Sequence, residues 1–286
     1  MENYLIYSKE LHRFIDAHKI YHFDDDLKKL DSQFNTFESN SNFFIENKKK
    51  LISSETQFFL NINKTIRDFK LLVCDMDSTL IQNECIDEIA ELLHLKKEMS
   101  EITELTMQGQ LCFDESIKKR VGLLKGINVG SFEKIIYEKI RFQPHVNEWI
   151  NFAKSHHLIT VVVSGGFTYF VDYVKKSLSI DYAFSNTFEV FDNKLTGNLL
   201  GEIVNVEKKA ELTLKIANQY GINRDQIIAI GDGANDIGMF RESGLSISMH
   251  GKPVLDNLVT WSVKKGYYKT LLDLFELMEN NKKASH

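Results

Sequence analysis

The sequence predicts an α/β fold: a parallel sheet core covered by helices, with an all-helical insertion and a small N-terminal region. Three observations predict it. Beyond Pro144, short hydrophobic runs alternate with stretches of helical periodicity, as strands and covering helices do in a parallel sheet. One apolar run, LLVC at residues 71–74, comes earlier, and residues 84–142 after it read as consecutive amphipathic helices with no convincing strand. The polar residues suited to chemistry stand where the apolar runs stop, and open α/β sheets bind ligands at the carboxyl ends of their strands.

In chain order, residues 1–66 differ from the rest. Phe and Tyr are frequent, Gly is absent, and the polar run SQFNTFESNSN interrupts any periodicity. A small separate region of unknown role is expected, short for a regulatory domain and without a clear βαββαβ pattern. After the strand at 71–74, NECIDEIAELLHL places Ile86, Ile89, Ala90 and Leu93 at helical spacing, and GINVG at 126–130 is a turn between helices of the insertion. The core is expected over 67–83 and 143–286, through HLITVVVSGG, FTYFVDYVKKSL, DYAFSNTFEV, EKKAELTLKIANQYG, QIIAIGDG, ANDIGMFRESG and LSISM.

Composition narrows the function. The chain has 286 residues, 43% hydrophobic and 26% charged, with only 2 prolines, which is enough apolar material for a sizeable core. A net charge of −5 argues against a nucleic-acid partner, which needs a clustered cationic face. It does not exclude a small anionic substrate. Cys74, Cys85 and Cys112 form no CxxC pair and read as reduced thiols. The N-terminal stretch has neither a basic start nor a continuous apolar run, and no segment approaches the ~20 apolar residues of a membrane helix. A cytoplasmic protein with no membrane partner is expected, and homodimerisation is left open.

Four constellations carry chemistry. Asp75 and Asp77 follow the first strand; two carboxylates there could hold a divalent cation, or attack and shuttle a proton, although Asp, Ser and Thr are also ordinary turn formers. GDGAND at 231–236 follows IIAI and adds Asp232, Asn235 and Asp236. Four carboxylates at one sheet edge repel one another unless a cation neutralises them, and hard oxygen ligands favour magnesium. SGG at 164–166 follows VVV and offers a hydroxyl and backbone amides to an anion. Lys208 and Lys209 stand near the start of a helix, where a lysine is more often a solvated charge.

These four elements, in this order, resemble the haloacid dehalogenase (HAD) superfamily. The runs DMDSTLIQNECIDEIAEL, TxxxMxGxxxFxxSxxxRV at 103–121, VVSGGF, LTGNLLGEIV and GDGANDIGMF are similar to the phosphoserine phosphatase family throughout residues 69–272. The resemblance implies a Rossmann-like parallel sheet with a helical cap insertion, and hydrolysis of O-phosphoserine to serine and phosphate, the last step of serine biosynthesis. It implies Asp75 as nucleophile, Asp77 as general acid and base, and Mg2+ held by the Asp75 carboxylate, the Asp77 carbonyl and Asp232, with Asp236 in support. Ser164, Gly165 and Lys209 would surround the phosphoryl group with Asn235 beside it, and the spacing from GEIV selects Lys209 over Lys208.

Glu84, Met107, Phe113 and Arg120 match the residues that receive the serine part. Physics supports this, since a zwitterion needs an anion for its ammonium and an arginine fork for its carboxylate. Read without the resemblance, the same four are surface charges and cap core. A related phosphatase, or a phosphotransferase passing the group to homoserine, would share the catalytic residues. A metal-dependent glycosyltransferase using DMD is disfavoured by SGG and GDGAND, and a non-catalytic binding module by the intact catalytic set.

Overall fold

The structure is a computed structural model that describes residues 3–7, 27–31, 36–40, 57–60, 64–255, 258–264 and 267–284. Its centre is a run of six parallel strands. In chain order these are β5 (Leu71–Cys74), β6 (Ile159–Phe167), β7 (Tyr182–Phe191), β9 (Ile227–Gly231), β10 (Leu245–Met249) and β11 (Trp261–Val263), and across the sheet they lie in the order β11-β10-β9-β5-β6-β7. At one edge β8 (Lys194–Leu200) pairs antiparallel with β7. At the other, β4 (Gln57–Leu60) pairs antiparallel with β11 and continues through β1 (Asn3–Tyr7), β3 (Thr36–Asn40) and β2 (Leu27–Asp31). Strands from the first 66 residues thus extend the same sheet.

The strands are apolar without alternation because both faces are covered. Leu72 and Cys74 of β5 point into one core with Val162, Ile228 and Ile230; Leu71 and Val73 point into the other with Val161, Val163, Ile227 and Ala229. The first core is closed by α5 (Val146–Ser155), α6 (Thr168–Ser177) and α9 (Tyr267–Ala284), the second by α7 (Val206–Gln219) and α8 (Ile237–Arg241). In α5 the buried positions are Val146, Trp149, Ile150 and Ala153, the i, i+3, i+4, i+7 stripe of a helix with one face on a sheet. Each fully buried large apolar side chain of this kind contributes about 1.5–3 kcal/mol. Among the described residues no helix is long and apolar enough to cross a membrane.

Between β5 and α5 the chain forms only helices: α1 (Cys85–Leu92), α2 (Lys96–Met107), α3 (Phe113–Gly122) and α4 (Ser131–Glu138). The segments leaving and re-entering the core run side by side. Ile81 bridges Phe142, the Gln82 amide donates to the Arg141 carbonyl (2.7 Å), and the Gln143 amide donates to the Leu80 carbonyl (2.9 Å).

The helical insertion also rests on the β7–β8 hairpin. Asp192 and Asn193 form its turn with φ of 48° and 57°, the paired left-handed conformation of a two-residue hairpin loop. The Gly126 amide donates to Leu195 (2.7 Å), Leu195 donates to Ile127 (2.9 Å) and Val129 donates to Asn193 (3.0 Å). Phe132 of α4 stacks on Phe188 of β7. The run DYAFSNTFEV at 181–190, expected as a strand, forms β7 one residue further on, whereas β8 and β11 are not expected from the sequence.

Candidate active site

Three neighbouring strands, β9, β5 and β6, deliver their carboxyl ends to one place. Asp75 follows β5 directly, and its amide donates to the Ile230 carbonyl (2.9 Å). The next residues turn tightly: the amides of Thr79, Leu80 and Ile81 all converge on the Met76 carbonyl, with Ser78 at φ 55°. Asp232 follows β9, and Ser164 lies in the last turn of β6, where pairing with β7 slips between Val163 and Phe167. The slip frees the Ser164–Gly166 backbone from the ladder.

Beneath these ends lies a buried ion cluster. Lys209 Nζ donates to Asp75 Oδ1 (2.6 Å) and to Asp236 Oδ1 (2.7 Å), and both Lys209 and Asp236 are 0% exposed. Burial alone would lower the Lys209 pKa, but Asp236 and Asp75 hold it above its ordinary value. Lys208, one residue earlier, points outward to Glu202 and Glu211 (2.7 Å to the latter). The difference arises at the start of α7, where the Asn205 side chain caps the Lys208 amide (3.0 Å) and fixes the first turn.

Asp236 Oδ2 accepts from the amides of Asp232 and Gly233, both at 3.0 Å. Its oxygens are therefore committed to holding Lys209 and the GDG turn. Gly231 is needed for this approach, because a Cβ there would fall 2.3 Å from Asp236 Oδ2.

Asp75 has its second oxygen without a hydrogen-bond partner among the described residues, and the residue lines a cavity of about 400 Å³. Burial first, and then Asp236, push its carboxyl well above the usual range. Asp77 accepts from the Cys85 amide at the start of α1 (2.8 Å) and from the Ser164 hydroxyl (3.4 Å). Burial raises its pKa despite those bonds, which suits a group that must carry a proton. The Gly166 amide donates to Ser164 Oγ (2.8 Å), and a Cβ on Gly166 would stand 2.7 Å from Asp77 Oδ2.

Oxygens of Asp75, Asp232 and Asp236 lie within 4.8 Å of one another, an all-carboxylate set suited to a hard divalent cation. Burial first and then Asp236 raise Asp232 to about 6, against the opposing charges of Lys252 and Lys209.

The cavity is also lined from the cap by Glu84, Phe113 and Arg120, and from the core by Gly165 and Asn235. Glu84 keeps a solvent-exposed side and accepts from the Ser78 hydroxyl (2.8 Å). Burial of the rest, then Asp77, push it up to about 7. Among the described residues Arg120 makes one hydrogen bond, 3.4 Å from Nε to the Ser116 carbonyl; burial lowers its pKa, while Asp87 and Glu84 oppose the shift. The residues expected at the site from the sequence are thus brought to this place, Lys208 pointing outward instead; Met107, at the end of α2, has its side chain outside the described residues.

The sequence reading missed three contributors. Asn186 is buried, donates to the Gly165 carbonyl (2.8 Å) and accepts from the Val204 amide (2.9 Å), so it clamps the SGG loop. Thr106 donates to Ser116 Oγ (2.7 Å) at the cap wall. Lys252 lines the mouth, and its amide donates to the Asp232 carbonyl (3.0 Å). Only the turn chemistry of GKP marked that last position in the sequence.

Residues 72–241 match the profile of the haloacid dehalogenase-like hydrolases. A phosphoserine phosphatase of Polaromonas sp. is 40% identical over 214 residues, spanning 73% of this chain and 91% of that one. A substrate-bound phosphoserine phosphatase structure is similar at 40% identity and a TM-score of 0.67 over 72% of this chain and 98% of that one. The unliganded structure of a probable phosphoserine phosphatase from Vibrio cholerae is similar at 30% identity and a TM-score of 0.78, covering 99% of this chain and 88% of that one. A buried aspartate–lysine floor at three strand ends, a helical insertion over it and these likenesses lead to one assignment: the chain belongs to the haloacid dehalogenase-like hydrolases, alongside the phosphoserine phosphatases.

Proposed function

We propose that this chain hydrolyses O-phosphoserine to serine and phosphate through an aspartyl-phosphate on Asp75, the closing reaction of serine biosynthesis. The observation that carries the chemistry is the pairing of Asp75 Oδ1 with buried Lys209 while Oδ2 is left unpartnered. The likeness to phosphoserine phosphatases supports the substrate.

Asp75 Oδ2 attacks phosphorus in line, and the serine oxygen leaves. Asp77, whose carboxyl is pushed upward by burial, acts as the general acid and gives a proton to that oxygen. Its carboxylate then takes a proton from the water that opens the acyl-phosphate bond. Lys209, the Ser164 hydroxyl and the amide of Gly165 face the charge on the phosphoryl oxygens, with Asn235 beside them. Asp75 and Asp232, with the Asp77 carbonyl, would hold Mg2+, which when bound offsets the negative charge gathered there. Asp236 acts through Lys209 and the GDG turn.

On the cap side, Glu84 receives the ammonium, Arg120 the carboxylate, and Phe113 and Met107 the carbon frame. The insertion at 84–142 serves as a cap that excludes bulk water from the acyl-phosphate.

The test is phosphate release from a panel of small phosphomonoesters, with and without Mg2+ and with homoserine as a competing acceptor. O-Phosphoserine should be the preferred substrate, excess chelator should abolish turnover, and Ca2+ should replace Mg2+ poorly because of its looser coordination. Equal rates on all esters, or transfer to homoserine in place of release, would overturn the assignment.

A further inference from the structure

Among the described residues, four carboxylates line the cavity, Asp75, Asp77, Glu84 and Asp232, against two cationic side chains, Arg120 and Lys252. Lys209 is fully buried and its charge is matched by Asp75 and Asp236. With Arg120 committed to the substrate carboxylate, Lys252 is the remaining lining cation able to meet a phosphate dianion as it enters. Its side chain is exposed and has no hydrogen bond or ion pair among the described residues.

The loop carrying it is firmly built. The His250 amide donates to Val263 (2.8 Å), Lys264 Nζ to the Gly251 carbonyl (3.2 Å), the Lys252 amide to Asp232 (3.0 Å) and the Leu255 amide to the Lys252 carbonyl (3.0 Å). Gly251 lets the loop pass so close that a Cβ there would sit 1.9 Å from Ser248 Oγ. This backbone places an exposed cation beside the acidic cluster. A cation in that position weakens the attraction of the cluster for a divalent metal ion and strengthens it for an anion.

We propose that Lys252 is a further substrate-binding residue that receives the substrate phosphate at the cavity mouth. This rests on the phosphomonoesterase reading above, though on no particular leaving group. The experiment compares the full chain with Lys252→Gln and Lys252→Arg. One arm measures binding of inorganic phosphate directly by calorimetry with Mg2+ present, and the other measures KM and kcat for O-phosphoserine.

In Lys252→Gln the phosphate Kd and the KM should rise together by roughly 10-fold, the scale of one charged hydrogen bond. The kcat should stay within about threefold, as expected for lost ground-state binding. Salt should weaken phosphate binding less in this variant than in the parent, and Lys252→Arg should restore most of the affinity. An unchanged phosphate Kd in a Lys252→Gln protein of parental melting temperature would overturn the proposal. So would a fall in kcat with Kd unmoved, because the loop would then act only through Asp232. Since phosphate binding is read without turnover, a chain that proved inactive on phosphoserine would sink the substrate assignment and leave this arm decisive.

Discussion

On the floor of the cavity, Lys209, Asp236 and the Asp232–Gly233 amides answer one another at 2.6–3.0 Å, whereas on the cap side Arg120 holds only a 3.4 Å bond to a carbonyl. The Lys209–Asp236 part of the floor is held by bonds within the protein itself. Among the described residues, Arg120 forms no ion pair, and Glu84 holds one hydroxyl. This is the division expected when one end of a site must present fixed charge to a transition state and the other must recognise a ligand that supplies the missing bonds. Under the proposed function, the division fits a floor held on strand ends and one buried helical lysine, with Phe113 and Arg120 on a helix of the insertion.

The comparison can be broken most severely at Asp75. Asp75→Asn should lose on the order of 10⁴–10⁶-fold in kcat on every substrate, as deletion of a nucleophile does, and rapid-quench labelling should find no phosphoenzyme. Asp77→Asn should lose about 10²–10⁴-fold, with leaving-group protonation and phosphoenzyme breakdown both slowed. Label found on any other residue would overturn the floor assignment.

Stability should divide the two regions as sharply as rate. Asp236→Ala leaves Lys209 half-paired and two amides unanswered, so denaturant unfolding should show a loss of about 3–5 kcal/mol, the usual cost of breaking a buried pair from one side. Arg120→Ala, which breaks almost nothing, should melt near the parent. A comparable loss in both would mean that the cap residue is structural.

Arg120→Ala should instead lower kcat/KM for phosphoserine by roughly 10- to 150-fold, corresponding to about 1.5–3 kcal/mol for a charged hydrogen bond. Phosphoethanolamine, which lacks the carboxylate, should suffer far less, and p-nitrophenyl phosphate should barely respond. Equal losses on all three would remove the physical basis for the phosphoserine assignment.

The smallest effect concerns pH. Glu84 is raised to about 7, so it is a carboxylate above that pH and gains a proton below it. The anion that receives the ammonium is therefore lost as pH falls. Between pH 8 and 6 the KM for phosphoserine should rise by up to roughly 10-fold, following the ionised fraction, and Glu84→Gln should flatten that profile. An unchanged profile in the variant would assign the titration elsewhere.

Much of this site was legible because strand ends are legible. An apolar run that stops at Asp75, Ser164 or Asp232 announces both a buried strand and the edge at which it ends. Lys209 was legible only by spacing, because adjacent lysines on a helix differ in direction and not in chemistry. Its burial, against the ion pairs of Lys208 outside, is decided by the packing of α7. Asn186 read as one polar residue in a strand, and its role as a clamp exists only because β7 lies beside the SGG loop. In the β7–β8 hairpin, Asp192 and Asn193 are turn residues on the page, yet the partner strand KLTGNLL alternates too weakly to declare itself.

What the sequence determined by itself was therefore local: the periods of strands and helices, the acidic strand ends, and the order of motifs that the family shares. These follow from side-chain patterning within a few residues. The tertiary structure alone decided which strands are neighbours, with β5 between β9 and β6 and the N-terminal strands joined through β4 to β11. It also decided which charges are buried together. Asp75, Lys209 and Asp236 are 134 and 27 residues apart in successive pairings, and the energies that set a buried charge's proton, partner and reach depend on distance in space and on exclusion of water, neither of which the order of residues states.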